Sequence, residues 1–231
     1  MTAPLAVVTI RPAADADMDA IAAIYAHHVL HGRASFETEP PSPAEMRRRR
    51  ADVVGKRLPY LVAEQAGTAV AAAGAAAGDV ALAAAGDVAG AVTAGVAAEM
   101  AGAMAGEVTR KAAAEVVGYA YAGPYRPRAA YANTVENSVY LRPDAIGRGV
   151  GRALLAALVT ACEARGLRQM VAVVGDSANL ASIRLHESLG FRQVGVLRDV
   201  GYKHGVWLDS VLLQRSLGVG NAVPPHGCTD G

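Results

Sequence analysis

The amino-acid sequence predicts an α/β domain in which helices flank a mixed central sheet. Short apolar or alternating runs, which are typical of strands, are separated by longer stretches with helical spacing of the apolar residues. The run 170–174 (MVAVV) is apolar throughout, as in a strand that is buried on both faces. Residues 138–155 (SVYLRPDAIGRGVGRALL) indicate a strand, a turn, a glycine-rich loop and the start of a helix. This succession of elements is typical of the α/β class.

Strands and helices follow one another along most of the chain. Asp15 and Asp17 offer N-cap oxygens to the first helix, and Gly166 and Gly190 follow two later helices as C-terminal stops. The turn 201–205 separates the last two strands. Strands are predicted at 7–10, 60–64, 116–122, 134–141, 170–174, 191–196 and 207–214, and helices at 18–30, 43–50, 151–165 and 179–189.

An alanine- and glycine-rich stretch, 66–114, interrupts this order. It repeats a loose AAGDVA unit and has too little apolar bulk to form a core, while each glycine weakens any helix by roughly 1 kcal/mol. We predict an insertion, disordered or partly helical, between two strands that would otherwise form a hairpin. The predicted organisation is one domain made of 1–65 and 115–217, the insertion, and a flexible C-terminal tail at 218–231.

Composition and charge argue against several classes of partner. The formal net charge of +1 gives no global attraction to nucleic acid or anionic membranes, and the basic run 47–50 is expected on a solvated helix. The excess in the 52% hydrophobic fraction is alanine, and the N-terminus lacks the apolar segment of a signal peptide. Cys162 and Cys228 have no disulfide or metal spacing. We therefore expect a cytoplasmic protein with no membrane or nucleic-acid partner.

The glycine-rich loop is the strongest indication of a ligand. Gly147, Gly149 and Gly151 follow a strand and precede a helix, so exposed amides and the helix dipole would cradle a phosphate or pyrophosphate. The Lys-Ser/Thr pair of a P-loop is missing. The loop also lies in mid-chain, without the later acidic residue of a dinucleotide-binding unit. The sequence therefore predicts a phosphorylated cofactor of another kind.

Seven motifs occur in order along the chain. They are SFETEP (35–40), YLVAE (60–64), VVGYAYAGPYRPRAAY (116–131), TVENSVYL (134–141), GRGVGRALL (147–155), ASIRLHESLGF (181–191) and GYKHGVWLD (201–209). Their order resembles the GNAT acyltransferases, and more narrowly the branch that acetylates phosphinothricin and methionine sulfoximine or sulfone. The resemblance covers about 8–217 apart from the insertion. It implies the GNAT fold, acetyl-CoA as co-substrate without a metal, a small amino-acid-like amine as acceptor, and a homodimer.

The resemblance also implies a cofactor site around the glycine loop. Loop amides would hold the CoA pyrophosphate, and amides at the end of the preceding strand would polarise the thioester carbonyl where that strand splays from its neighbour. The family usually has Arg or Gln where Ile146 stands, a departure that a main-chain cradle tolerates. The implied cofactor-binding residues are Val139, Tyr140, Leu141, Gly147, Arg148, Gly149, Val150, Gly151, Arg152, Asn179 and Ser182.

Catalytic and acceptor-binding residues are implied in the same way. An amine must be neutral to attack a thioester, and Glu136 matches the glutamate proposed as general base in this branch. His186 matches a histidine that is also considered as a base in relatives, with a packing or hydrogen-bonding role as the alternative. The matching helix has no tyrosine, so the general acid is unassigned. The acceptor candidates are Phe36, as a pocket wall in place of a local packing plug, and the cations Arg126, Arg128 and Lys203.

Two other functions stay open at this point. One is a protein N-terminal acetyltransferase of the same fold, which would need an open groove for a peptide instead of a closed pocket. The other is a non-catalytic acyl-CoA-binding module, which Ile146 and the insertion would favour.

Overall fold

The computed structural model describes residues 8–66 and 114–225, which form a seven-stranded sheet with helices on both faces. In chain order the elements are β1 (Val8–Pro12), α1 (Met18–His31), α2 (Pro43–Gly55), β2 (Tyr60–Gln65), β3 (Glu115–Pro124), β4 (Thr134–Leu141), α3 (Val150–Glu163), β5 (Gln169–Gly175), α4 (Leu180–Glu187), β6 (Arg192–Lys203) and β7 (Val206–Ser216).

The sheet is mixed, as the sequence predicts. Its strand order is β1-β2-β3-β4-β5-β7-β6, and β4 and β5 form the one parallel pair in this described sheet. The antiparallel pair of β2 and β3 confirms the predicted hairpin, with Leu61 opposite Ala120 and Val62 opposite Tyr119. The insertion predicted at 66–114 lies outside the described residues except for its two ends, so the predicted domain boundaries stay a prediction.

Each face of the sheet carries its own apolar core. On one face, α1 packs the stripe Met18, Ile21, Tyr25 and Val29, whose spacing of three and four residues places them on one side of the helix. On the other face, α3 and α4 pack against the strands through a cluster that includes Leu154, Leu155, Leu158, Cys162 and Phe191. The sheet is thus covered on both sides, and any opening between its strands connects two helical layers.

The basic run 47–50 lies on α2, where a helix is predicted. Ser42 caps that helix by accepting a hydrogen bond from the Glu45 amide (3.1 Å), and Pro43 occupies its first turn. Each of the four arginines pairs with a carboxylate; the pairs are Arg47–Asp19, Arg48–Glu45, Arg49–Glu37 and Arg50–Asp15.

Four local features differ from the predictions. The carboxylate of Asp17 accepts from Ala14 N and from Arg11, so it closes the preceding turn instead of capping α1. The helix α4 is shorter than predicted, and β6 is longer because it stays paired with β7 up to Lys203. The connecting turn is only His204-Gly205, with φ of 51° and 77°, which matches the two positive angles of a tight hairpin turn.

No helix of the described part is long and apolar enough to cross a membrane.

Candidate active site

The parallel strands β4 and β5 separate part-way along their length. They pair from Thr134 and Gln169 only as far as Asn137 and Ala172, although β4 continues to Leu141 and β5 continues beyond Ala172. A cleft of about 420 Å³ opens where they diverge. Residues from both helical layers line it, so it passes through the sheet.

The edge of β4 in this gap presents main-chain groups. Arg142 N donates to Val117 O (2.8 Å), so in the β3–β4 register the even-numbered residues of β4 direct their N–H and C=O groups toward β3. Val139 and Leu141 therefore direct theirs toward the side that β5 has left. Val139 lines the cleft, whereas the amide of Tyr140 points toward β3. Two main-chain donors of a splayed strand thus face the opening.

The glycine loop lies between this strand edge and α3. Gly147 and Gly149 have φ of 77° and 80°, a backbone conformation that side-chain-bearing residues rarely adopt. Gly151 is needed for packing instead, because a Cβ there would lie 3.3 Å from Leu141 Cδ1 and 3.4 Å from Leu185 Cδ2. The first amides of α3, which begins at Val150, have no intrahelical acceptor. Ile146 is exposed beside the loop.

The start of α4 forms the wall of the cleft opposite β4. Asn179 Oδ1 accepts from Ser182 N (3.2 Å) and caps the helix, and both residues line the cleft. Arg152 on α3 donates to Ser188 O (3.1 Å), which ties the two helices together. Its guanidinium therefore contacts a helix end.

His186 is buried at the point where the strands diverge. Its Nδ1 donates to Ser182 O (2.8 Å), because a carbonyl oxygen can only accept. Asn137 Nδ2 donates to Val171 O (3.2 Å), which turns Asn137 Oδ1 toward His186 Nε2 at 3.0 Å. Both ring nitrogens thus face oxygen atoms of the protein. Burial lowers the pKa of His186, and the hydrogen bond to Ser182 O opposes that shift. Neither nitrogen has a lone pair directed into the open cleft.

Glu136 lies one residue before Asn137 and points to the opposite face of the sheet. Its carboxyl lines the cleft, and its pKa shift involves burial and the charge of Arg126 but no hydrogen bond from a described residue. Burial raises the pKa of Glu136, and the charge of Arg126 opposes that shift. The arrangement gives a half-buried carboxyl with unoccupied oxygens at the α1–α2 side of the cleft.

The loop after α1 closes this side of the cleft. Tyr25 OH donates to Glu37 Oε1 (3.0 Å) and lies 2.9 Å from Ser35 Oγ, and Arg49 Nη1 donates to Glu37 at 2.6 Å. Burial is the main cause that raises the pKa of Tyr25 to about 12. These contacts fix the loop that carries Phe36.

Phe36 packs on two glycines and lines the cleft. A Cβ at Gly175 would lie 3.2 Å from Phe36 Cε2, and a Cβ at Gly201 would overlap the ring. The ring remains 40% exposed, so it is both a packing element and a wall of the cleft.

Comparison with known proteins gives consistent relatives. The family described as Acetyltransferase (GNAT) matches residues 106–191. A phosphinothricin N-acetyltransferase of Alcaligenes faecalis is 44% identical over 218 residues, which cover 94% of this chain and 87% of the relative. The chain belongs to the GNAT acetyltransferase family.

Other GNAT relatives agree with this assignment. An L-methionine sulfoximine/L-methionine sulfone acetyltransferase of Pseudomonas aeruginosa is 45% identical over 108 residues, 47% of this chain and 62% of the relative. A phosphinothricin acetyltransferase of Sinorhizobium meliloti, solved in complex with acetyl-CoA, has a TM-score of 0.73 and 37% identity over 96% of this chain and 95% of its own. A ribosomal-protein-alanine N-acetyltransferase of Brucella melitensis has a TM-score of 0.68 and 29% identity over 90% of this chain and 99% of its own.

The GNAT cleft brings together some of the predicted residues and leaves others outside. Arg126 and Arg128 line a separate surface concavity together with Lys56. Lys203 is buried and donates to Ser35 O (2.8 Å), so it supports the Phe36 loop from behind. The predicted residues that line the cleft are Phe36, Glu136, Val139, Tyr140, Asn179, Ser182 and His186.

Sequence reasoning missed several polar residues of this GNAT site. Asn137 is a polar residue at a core-facing strand position, a signal that could have found it, since buried polar groups need partners. The sequence carries no comparable signal for Tyr25, Ser35 and Glu37, because their contacts depend on how the loop folds over α1 and α2. The described residues contain no group of three or more His, Cys, Asp or Glu side chains placed to hold a metal ion.

Proposed function

We propose that the protein is an acetyl-CoA-dependent N-acetyltransferase that acetylates the amino group of a small amino-acid-like molecule of the phosphinothricin or methionine sulfoximine/sulfone type. One observation carries the proposal: a cleft through the sheet has main-chain donors of β4 at one side and the carboxyl of Glu136 at the other. The names of the relatives support the acceptor class. We further propose that the protein forms a homodimer and acts in the cytoplasm.

Acetyl-CoA fits the donors that the chain offers. The glycine loop and the first turn of α3 present main-chain N–H groups, which suit a pyrophosphate. The N–H groups of Val139 and Leu141 suit carbonyl oxygens of an extended arm between β4 and β5. When bound, acetyl-CoA supplies the activated acetyl group.

Glu136 is the proposed general base for direct transfer to the amine. A carboxyl whose pKa is raised by burial has a greater tendency to accept a proton than an exposed one. His186 is less suited, because both of its nitrogens face protein oxygens. Glu37 also lines the cleft, but Arg49 and Tyr25 bind its carboxylate.

The acceptor is proposed to bind between Phe36 and Glu136. Phe36 would contact its aliphatic part, and the guanidinium groups of Arg126 and Arg128 would approach its carboxylate from the neighbouring concavity. Lys203 would act indirectly, by holding Ser35 O behind the Phe36 loop.

A homodimer is proposed from an exposed aromatic pair on the edge hairpin. Tyr202 and Trp207 are paired across the β6–β7 hairpin with 5.2 Å between their ring centroids, and each is more than half exposed. Because β6 is an edge strand of the described sheet, a second copy would cover this aromatic pair.

A panel of amines tests the proposed activity. Acetyl-CoA is supplied with L-phosphinothricin, L-methionine sulfoximine, L-methionine sulfone or an N-terminal alanine peptide, and free thiol is followed with time. We expect turnover with the small amines and little with the peptide. Preference for the peptide would instead favour protein N-terminal acetylation, the second candidate. This candidate is tested because the Brucella relative is named as an enzyme that acetylates the alanine of a ribosomal protein. Binding of CoA without any turnover would indicate a non-catalytic module.

A further inference from the structure

The carbonyl of Leu141 lies at the end of the splayed strand β4. In the strand register it points toward the gap, where a continued β5 would have supplied an amide. The next residue, Arg142, binds Val117 O through its amide and Asp144 through its side chain, and the glycine loop follows. Whatever holds the Leu141 carbonyl therefore also holds the junction between the strand edge and the loop.

A histidine of α1 takes the place of the missing strand. His28 Nε2 lies 2.7 Å from Leu141 O, and it must be the donor because the carbonyl can only accept. The ring is also packed beside Tyr140, with 5.5 Å between centroids. Burial lowers the pKa of His28, which favours the neutral ring with its hydrogen on Nε2.

We propose that His28 is a positioning residue for acetyl-CoA, an inference that rests on the proposed function. By satisfying Leu141 O from α1, it keeps β4 apart from β5 at the end nearest the glycine loop. The N–H groups of Val139 and Leu141 then stay available to the cofactor arm. His28 lies outside the cleft itself, so it acts through β4.

The same helix contacts the acceptor side at a different residue. Tyr25, one turn before His28, binds the loop residues Ser35 and Glu37. Because these contacts are separate from the bond to Leu141 O, loss of the His28 donor is expected to weaken cofactor binding and to leave the acceptor side in place.

Two variants of equal side-chain length isolate the hydrogen bond. His28→Gln keeps a donor, whereas His28→Met has none; His31→Leu, at the exposed end of the same helix, is the control. The Kd for free CoA is measured by calorimetry, together with the KM values for acetyl-CoA and the amine. For the Met variant we expect Kd and the KM for acetyl-CoA to rise about five-fold, with the Gln and control variants within about two-fold of wild type.

The outcomes separate this inference from the proposed function. Equal Kd values for the Met and Gln variants would overturn it, as would a rise in the KM for the amine as large as that for acetyl-CoA. If the Met variant fails to fold, His28→Leu provides the same comparison with Gln. Wild-type protein that binds CoA but acetylates no amine contradicts the proposed function alone, since the Kd comparison does not require turnover.

Discussion

Glu136 carries the chemistry in the proposed mechanism, so its substitution is the sharpest test at the scale of one residue. Glu136→Gln keeps the shape of the side chain and removes the proton acceptor. We expect kcat to fall about 100-fold or more while the KM for acetyl-CoA changes little, since general bases contribute roughly that much. Glu39→Gln, an exposed change in the same loop region as Phe36, is the matched control. Unchanged kcat in the Glu136 variant would contradict the assignment.

The pH dependence of the same residue has a definite sign. Burial raises the pKa of Glu136 above its ordinary value of 4.5, so the active carboxylate is lost at a higher pH than for an exposed glutamate. As the pH is lowered, kcat/KM for the amine in wild type should therefore begin to fall at a pH above 4.5, which a pH–rate profile measures.

The same shift affects the stability of the fold. A raised carboxyl pKa stabilises the fold below the unfolded-state pKa, and this contribution is lost as pH rises through the folded-state pKa. Glu136→Gln should then show no lower Tm than wild type at neutral pH.

At the scale of elements, the glycine loop supports a prediction about backbone conformation. Gly149→Ala places a side chain at φ of 80°, which costs about 1–2 kcal/mol in the free energy of unfolding. The strained loop should also raise the KM for acetyl-CoA. Gly55→Ala is the control, because Gly55 has open space around it and lies at the end of α2. Urea unfolding and steady-state kinetics measure both effects; a Gly149 variant that behaves like the Gly55 variant would contradict the role given to the loop.

The element β4 illustrates what periodicity and motifs can predict. The sequence predicts a strand at 134–141, which is observed as Thr134–Leu141, because alternating side chains and the following loop mark its limits. The resemblance to the family also implied that this strand splays from its neighbour. The polar residue at the core-facing position Asn137 is visible in the sequence, but its partner and that of His28 are not, since both bind main-chain oxygens of distant segments.

At the scale of the whole molecule, the exposed aromatic pair Tyr202 and Trp207 on the edge hairpin predicts self-association. Trp207→Glu replaces one of these rings with a charge, and Trp207 does not line the cleft. We expect wild type to behave as a dimer in sedimentation experiments and the variant to shift toward the monomer, because a buried unpaired charge opposes association. Val54→Glu, which places the same charge at an exposed apolar position on α2, is the control. Monomeric wild-type protein would contradict the prediction.

The global architecture was more predictable than the assembly of the site. Mixed-sheet topology follows from the order of strands and helices, and the hairpin of β2 and β3 is recovered across the predicted insertion. Residue type alone makes Arg126, Arg128 and Lys203 candidates for binding the acceptor carboxylate. The structure places the two arginines in a neighbouring concavity and Lys203 behind the loop, positions that depend on tertiary packing rather than on local sequence.

Product analysis tests the central proposal most directly. The full chain is incubated with acetyl-CoA and L-phosphinothricin, and the acetylated product and the free thiol are both quantified. The proposed function predicts one equivalent of acetyl group on the amino nitrogen for each thiol released, and no product without the protein. Thiol release without N-acetylated amine, or no release with any small amine of the panel, would contradict it.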